Sequence, residues 1–191
     1  MNLLSDWDGI ISLFIACIEI LLLVNLFIFS EKNRTNIIIY FIIAFLTGYQ
    51  VFEFLLCGAD INSSYAAYLA FVDISFLPPL NLLLILSVIK SRSKINYLIF
   101  IPAVFFVVYY LFFIDQFKVV KCTVLYAVYN YPSGDLFGFF YYLPILISFI
   151  ILLKKRKEIA RKQTAILFIA HLFIIVPVST GFILLYLNVP G

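Results

Sequence analysis

The chain has 191 residues, of which 65% are hydrophobic and only 12% charged, with mean hydropathy +1.13 and a formal net charge of +3. That balance lies far from the soluble globular range and offers no basic surface for nucleic acid, so a water-soluble or nucleic-acid-binding protein is excluded.

The apolar residues fall into runs of about twenty, the length a helix needs to cross the roughly 30 Å hydrocarbon layer. Six runs are predicted as spans: 10–29, 36–56, 69–89, 95–114, 137–153 and 164–187. Backbone polar groups in lipid need internal partners, and none of the runs shows the alternation of an outer-membrane strand, so all six are predicted as helices. The expected fold is an all-α, six-span integral membrane bundle forming a single domain over residues 1–191.

The first span is not a cleavable signal. Its preceding tail holds Asp6 and Asp8, its basic residues follow the run, and Glu19 sits inside it. Loops 30–35, 90–94 and 154–163 together hold eleven of the thirteen basic residues: Lys32, Arg34, Lys90, Arg92, Lys94, Lys154, Lys155, Arg156, Lys157, Arg161 and Lys162. The opposite face has Lys118 and Lys121 against Asp6, Asp8, Asp60, Asp115 and Asp135. The positive-inside rule then places these loops in the cytoplasm and both termini outside, in a multi-pass inner (plasma) membrane protein. The run Lys154, Lys155, Arg156, Lys157, Arg161 and Lys162 sets topology and contacts anionic lipid, or docks a cytoplasmic partner.

Ionisable groups inside apolar spans cost roughly 2.5–3.5 kcal/mol, so each invites a functional reading. Gln50 and Glu53 share a face near the outer end of the second span, and Asp73 lies near the outer end of the third. They are expected to form one polar cluster, or else to reach headgroup water. Asn25 and Asn81 add neutral polarity, with Asn81 counted among the ligand-binding candidates. Glu19 and His171 are expected as a buried polar pair. Prolines at 78, 79, 102, 144 and 177 fall within spans, and Pro78-Pro79 should bend the third and leave carbonyls open.

The outer loop at 115–136 is the long one. "KVVKCTVLYAVYNY" is β-branched and aromatic, followed by Pro132, Ser133 and Gly134, which predicts a short hairpin across the outer mouth. Cys57 and Cys122 both fall on this face and would pair in an oxidising compartment, or stay as two thiols. "YAVYNYPSGDLFGFFYY" (126–142) sets eight aromatic rings in seventeen positions. Either they roof a pocket or they form an interfacial belt. As a roof, Tyr126, Tyr129, Tyr131, Phe137, Tyr141 and Tyr142 would offer apolar area with hydroxyl handles to an amphiphile, lipid or cation.

Several chemistries have no residues to carry them. Every lysine is in a loop, which excludes a retinal Schiff base; a single histidine excludes a bis-His haem; and no HExxH, GxSxG or Gly-rich phosphate loop occurs. No enzyme activity, metal or cofactor is expected.

Two stretches, "NRTNIIIYFIIAFLTGYQVFEFLLCGADINSSYAAYLAFVDISFLPPLNLLLIL" (33–86) and "KKRKEIARKQTAILFIAHLFIIVP" (154–177), resemble the N-terminal seven-helix membrane sensor region of bacterial histidine kinases. The likeness lies in Asn-Arg-x-Asn opening the second helix, an acid in the next outer loop, proline in the third helix and an Arg-Lys-Gln entry to the sixth. It implies an outward N-terminus and a bundle that senses an extracytoplasmic or membrane signal. No seventh span or output domain follows Gly191, so output would pass through a partner, or the sequence belongs to a longer one. The expected role is a sensor or receptor with a membrane or cytoplasmic protein partner. An accessory subunit of a membrane complex is the alternative. A small transporter stands third, since no inverted repeat is visible.

Overall fold

A computed structural model describes residues 9–61, 63–91, 93–122, 127–130 and 132–186. The elements are α1 (Ile10–Phe29), α2 (Arg34–Glu53) continuing into one π-helical turn (Phe54–Gly58), and α3 (Ser64–Val88). A 3₁₀ stretch (Lys94–Phe100) leads into α4 (Ile101–Leu111), and a second (Ile114–Gln116) into β1 (Lys118–Cys122). Then follow β2 (Ala127–Asn130), α5 (Gly134–Lys155) and α6 (Arg161–Tyr186).

Local chemistry fixes several of these boundaries. The Asn33 side chain caps α2 by accepting from the Asn36 N–H at 2.9 Å, and Ser63 caps α3 by accepting from Ala66 N–H at 3.3 Å. Gly9 enters α1 at φ +79°, and a Cβ there would come within 2.5 Å of the Gly58 backbone nitrogen. The start of α1 is thereby seated against the far end of α2, and the two helices run antiparallel.

α1, α2 with its π turn, α3 and α5 are each long and apolar enough to cross a membrane. Their large side chains point outward in number: Phe14 is 66% exposed, Leu21 70% and Phe139 62%. An apolar exterior of that kind suits lipid, where water would penalise it. α3 is the central helix, with 50% of its most apolar stretch buried against 11–22% in the other three. It stays helical through Pro78 and Pro79, both buried. Pro79, Pro102 and Pro144, from three helices, border a gap of only about 10 Å³.

Several boundaries differ from the sequence expectation; α3 begins at Ser64, five residues before the expected 69. The fourth apolar stretch is a composite whose apolar helical part covers Asn96–Leu111, shorter than the other four. The fifth helix extends from Gly134 to Lys155, and the aromatic residues at its start continue the helix.

The two ends of the bundle are chemically distinct. At one end Arg34 donates to the Ser91 carbonyl at 3.3 Å, Thr35 and Ser87 share a hydrogen bond of 2.9 Å, and Ile159 packs with Ile85, Val88, Ile89 and Leu152. The three basic loops therefore meet there. The other end carries the hairpin, in which Lys118 pairs with Asn130, Val119 with Tyr129, Lys121 with Val128 and Cys122 with Ala127. The register slips between Val119 and Lys121, leaving Val120 as a bulge, 66% exposed.

Candidate functional site

Cys57, in the π turn after α2, is joined to Cys122 at the end of β1 by a disulfide with Cα atoms 5.7 Å apart. This bond closes 65 positions of chain and holds the hairpin over the bundle end. Cys17 is a free, exposed cysteine on α1.

Beneath the hairpin the aromatic residues form a core. Phe71 on α3 is its hub, with ring centroids 5.0 Å from Tyr110, 5.3 Å from Phe117 and 4.7 Å from Phe137. Tyr110 and Phe117 are fully buried and Phe137 is 5% exposed, while Val119 and Tyr129 pack on the cluster from the hairpin's lower face. Phenol groups at its edge are anchored to backbone: Tyr110 donates to the Pro132 carbonyl at 2.6 Å and Tyr68 to that of Val107 at 2.8 Å. Edge-to-face ring pairs of this kind each add about 0.5–1.5 kcal/mol to the area they bury.

Of the 126–142 stretch, Phe137 belongs to this core, Tyr129, Phe140 and Tyr141 pack against it, and Phe139 is exposed. Tyr141 packs on Phe137 at 5.5 Å between centroids. Tyr126 and Tyr131 lie outside the described residues.

Glu53 and Tyr129 approach one another at the edge of this core, and Gln50 lies on the same helix as Glu53. Glu53 is 1% exposed at the last position of α2, with Gln50 one turn before it. Glu53 acts electrostatically on the Tyr129 phenol across the gap to β2. Burial first, and the Glu53 carboxylate second, push that phenol well above its ordinary value. The Gln50 Oε1 and Tyr129 Oη are buried without a hydrogen-bond partner among the described residues.

Asp73 and Asn81 part from this cluster. Asp73 turns to α2 at Gly48, where a Cβ would lie 3.0 Å from its Cγ and closer still to Oδ2. Asn81 lies two turns further along α3, on the seam with α5 and α6. Its amide donates to Ser148 Oγ at 3.1 Å and meets His171 Nε2 at 3.2 Å. His171 Nδ1 donates to the Leu167 carbonyl at 2.9 Å, so Nε2 is an acceptor facing the Asn81 amide; Ser148 Oγ lies 2.8 Å from it and donates to the Ile145 carbonyl at 2.7 Å. Ser148 and His171 are buried to 0% and 1% exposure, and the group ties three helices together.

The expected Glu19–His171 pair is therefore replaced by two separate arrangements. Glu19 sits within hydrogen-bonding reach of Thr47 on α2, and His171 takes Asn81 and Ser148 instead. α1 packs along α2, which turns Glu19 toward that helix. Ser148, Thr47 and Gly48 were not singled out in the sequence. Each is a small residue in an apolar run, a signal shared by many packing positions.

Of the basic run, Lys155 pairs with the Glu158 carboxylate at 2.6 Å on the surface, with both side chains about half exposed. Lys154, Arg156, Lys157, Arg161 and Lys162 are exposed. Two apolar grooves open at this basic end, of about 330 Å³ between α1 and α2 and about 560 Å³ among α2, α3 and the entry to α4. Among the described residues no group of three or more His, Cys, Asp or Glu side chains could hold a metal ion. No family model, curated protein or solved structure matches the chain.

Proposed function

We propose that this chain is a six-span, non-enzymatic sensor of the plasma (inner) membrane, with both termini outside and the basic loops in the cytoplasm. It takes a small ligand at the disulfide-tied outer end and signals through a protein partner at the basic end. The observation that carries this reading is the buried Glu53 carboxylate beside Gln50 and Tyr129, under a hairpin held by Cys57–Cys122. Burying a carboxylate is costly, so it is retained where its charge has a use. With aromatic rings filling the neighbouring space, the arrangement favours a compact cation over a bulky amphiphile.

Two further points support the six-span arrangement. The 3₁₀ stretch rises about 2 Å per residue, so Lys94–Leu111 extends to roughly 30 Å despite its short α-helical part. α6 has 26 residues, ample for a crossing. The resemblance to histidine-kinase sensor regions agrees with the same reading.

The test is thermal stability of purified protein titrated with sodium, calcium and a quaternary ammonium ion. A saturable rise with one of these, lost in Glu53→Gln, is the expected result. Equal curves for the parent and Glu53→Gln would remove the acid from any ligand site.

The accessory-subunit reading is favoured by one observation, Asn25. Its amide is exposed on the outward side of α1, where lipid offers no hydrogen bond and a neighbouring helix would.

A further inference from the structure

We infer that the larger groove at the basic end is a binding site for an anionic phospholipid, with the acyl chain between α2 and α3 and the phosphate at Arg34. The groove encloses about 560 Å³ and is lined by Ile38, Phe41, Phe45, Phe76, Leu83 and Phe100, among other apolar side chains. Arg34 is the charged group among its described lining residues and stands at its mouth.

The dimensions match one leaflet. From Arg34 to Phe45 the groove follows eleven residues of α2, about 16 Å at the helical rise. Half of the roughly 30 Å hydrocarbon layer is about 15 Å. A lipid lying there has its phosphate level with the guanidinium and its chain end near the bilayer centre. Phe45 and Phe76 stack at 5.4 Å between centroids and close that inner end.

The guanidinium is held ready for an anion. One donor goes to the Ser91 carbonyl at 3.3 Å, and the plane lies over the Tyr97 ring at 5.9 Å. Arg34 forms no ion pair with a carboxylate among the described residues. Its remaining N–H groups suit the forked geometry of a phosphate. A zwitterionic lipid offers the same chain but sets a cation beside the phosphate, so the site should prefer the anionic headgroup. The inference needs α2 to cross the bilayer, and it is independent of what binds at Glu53.

The test places a fluorophore at the site. Full-length protein carrying Tyr97→Trp and Trp7→Phe is reconstituted in phosphatidylcholine vesicles. Brominated phosphatidylglycerol or brominated phosphatidylcholine is then titrated in as a quencher. The expected result is half-maximal quenching at about fivefold less phosphatidylglycerol, the preference one cation confers at a membrane surface. Arg34→Lys should keep most of that preference and Arg34→Gln should abolish it. A control with Leu153→Trp in place of Tyr97→Trp, beside Lys154 and Lys155, reports the general attraction of the basic loops. Equal quenching by the two lipids would overturn the site. So would a preference that survives Arg34→Gln or is equally strong at position 153.

Discussion

The Asp73 carboxylate on α3 rests against the bare Cα of Gly48 on α2. The two helices come this close because position 48 has no side chain, and an acid occupies the room. α2 and α3 make the most extensive helix pairing among the described residues, so this contact bears on the central packing of the bundle.

Gly48→Ala should therefore lower stability by about 1–3 kcal/mol, since the new methyl must displace a carboxylate in a packed seam. Asp73→Ala should relieve it. In a double-mutant cycle by thermal or denaturant unfolding, the pair should couple by roughly 0.5–3 kcal/mol. Strictly additive effects would mean that the two residues do not touch.

Thiol labelling provides a second check. The chain has three cysteines, and Cys57 and Cys122 are bonded. Denatured, unreduced protein should take up one maleimide, at Cys17, and reduced protein three. Cys57→Ser should free Cys122 and lower stability by about 2–4 kcal/mol, the usual range for closing a long loop. Uptake of three labels without reductant would show that the cap is not tied.

The group on the α3, α5 and α6 seam should behave as one unit. His171→Ala leaves the Ser148 hydroxyl and Asn81 amide buried with fewer partners, at a cost of about 1–3 kcal/mol. Ser148→Ala combined with His171→Ala should cost clearly less than the sum of the two. Glu19→Gln combined with His171→Ala should be additive, because Glu19 faces Thr47. Coupling between positions 19 and 171 would restore the pairing that the sequence suggested.

Tyr129 makes stability depend on alkaline pH. Its phenol is raised in the folded protein, so the fold prefers the protonated form. The contribution is fully present below the ordinary phenol value of about 10 and is lost as pH rises through the raised folded value. Unfolding followed from about pH 9 to 12 should show a shallower loss in Tyr129→Phe than in the parent. At neutral pH the same variant should be as stable as the parent or slightly more so. It removes a buried hydroxyl that has no hydrogen-bond partner among the described residues. A marked loss of stability at neutral pH would point instead to a bound group that the hydroxyl holds.

How much of this was legible in the sequence varies by element. The helical runs and the hairpin were visible because both are local. A run of apolar residues at bilayer length and a β-branched stretch before Pro-Ser-Gly each declare themselves without reference to the rest of the chain. The clustering of basic loops was legible for the same reason, since antiparallel spans send alternate loops to the same end. The candidate site was only partly legible. Gln50 and Glu53 share a helix face by spacing alone, but Asp73 was expected beside them and instead turns to Gly48.

The sequence by itself determined a chain built from apolar helices, with its positive charge gathered in three loops and its aromatic residues near one end. Those are properties of composition and period, which act over a few turns of helix. Tertiary structure alone decided which buried polar groups meet. A side chain in an apolar span takes whichever partner the rotation of a neighbouring helix presents, and that rotation is set by packing across many residues. So His171 found Ser148 and Asn81 instead of Glu19, and Phe117 and Phe137 joined Phe71 and Tyr110 in one packed core.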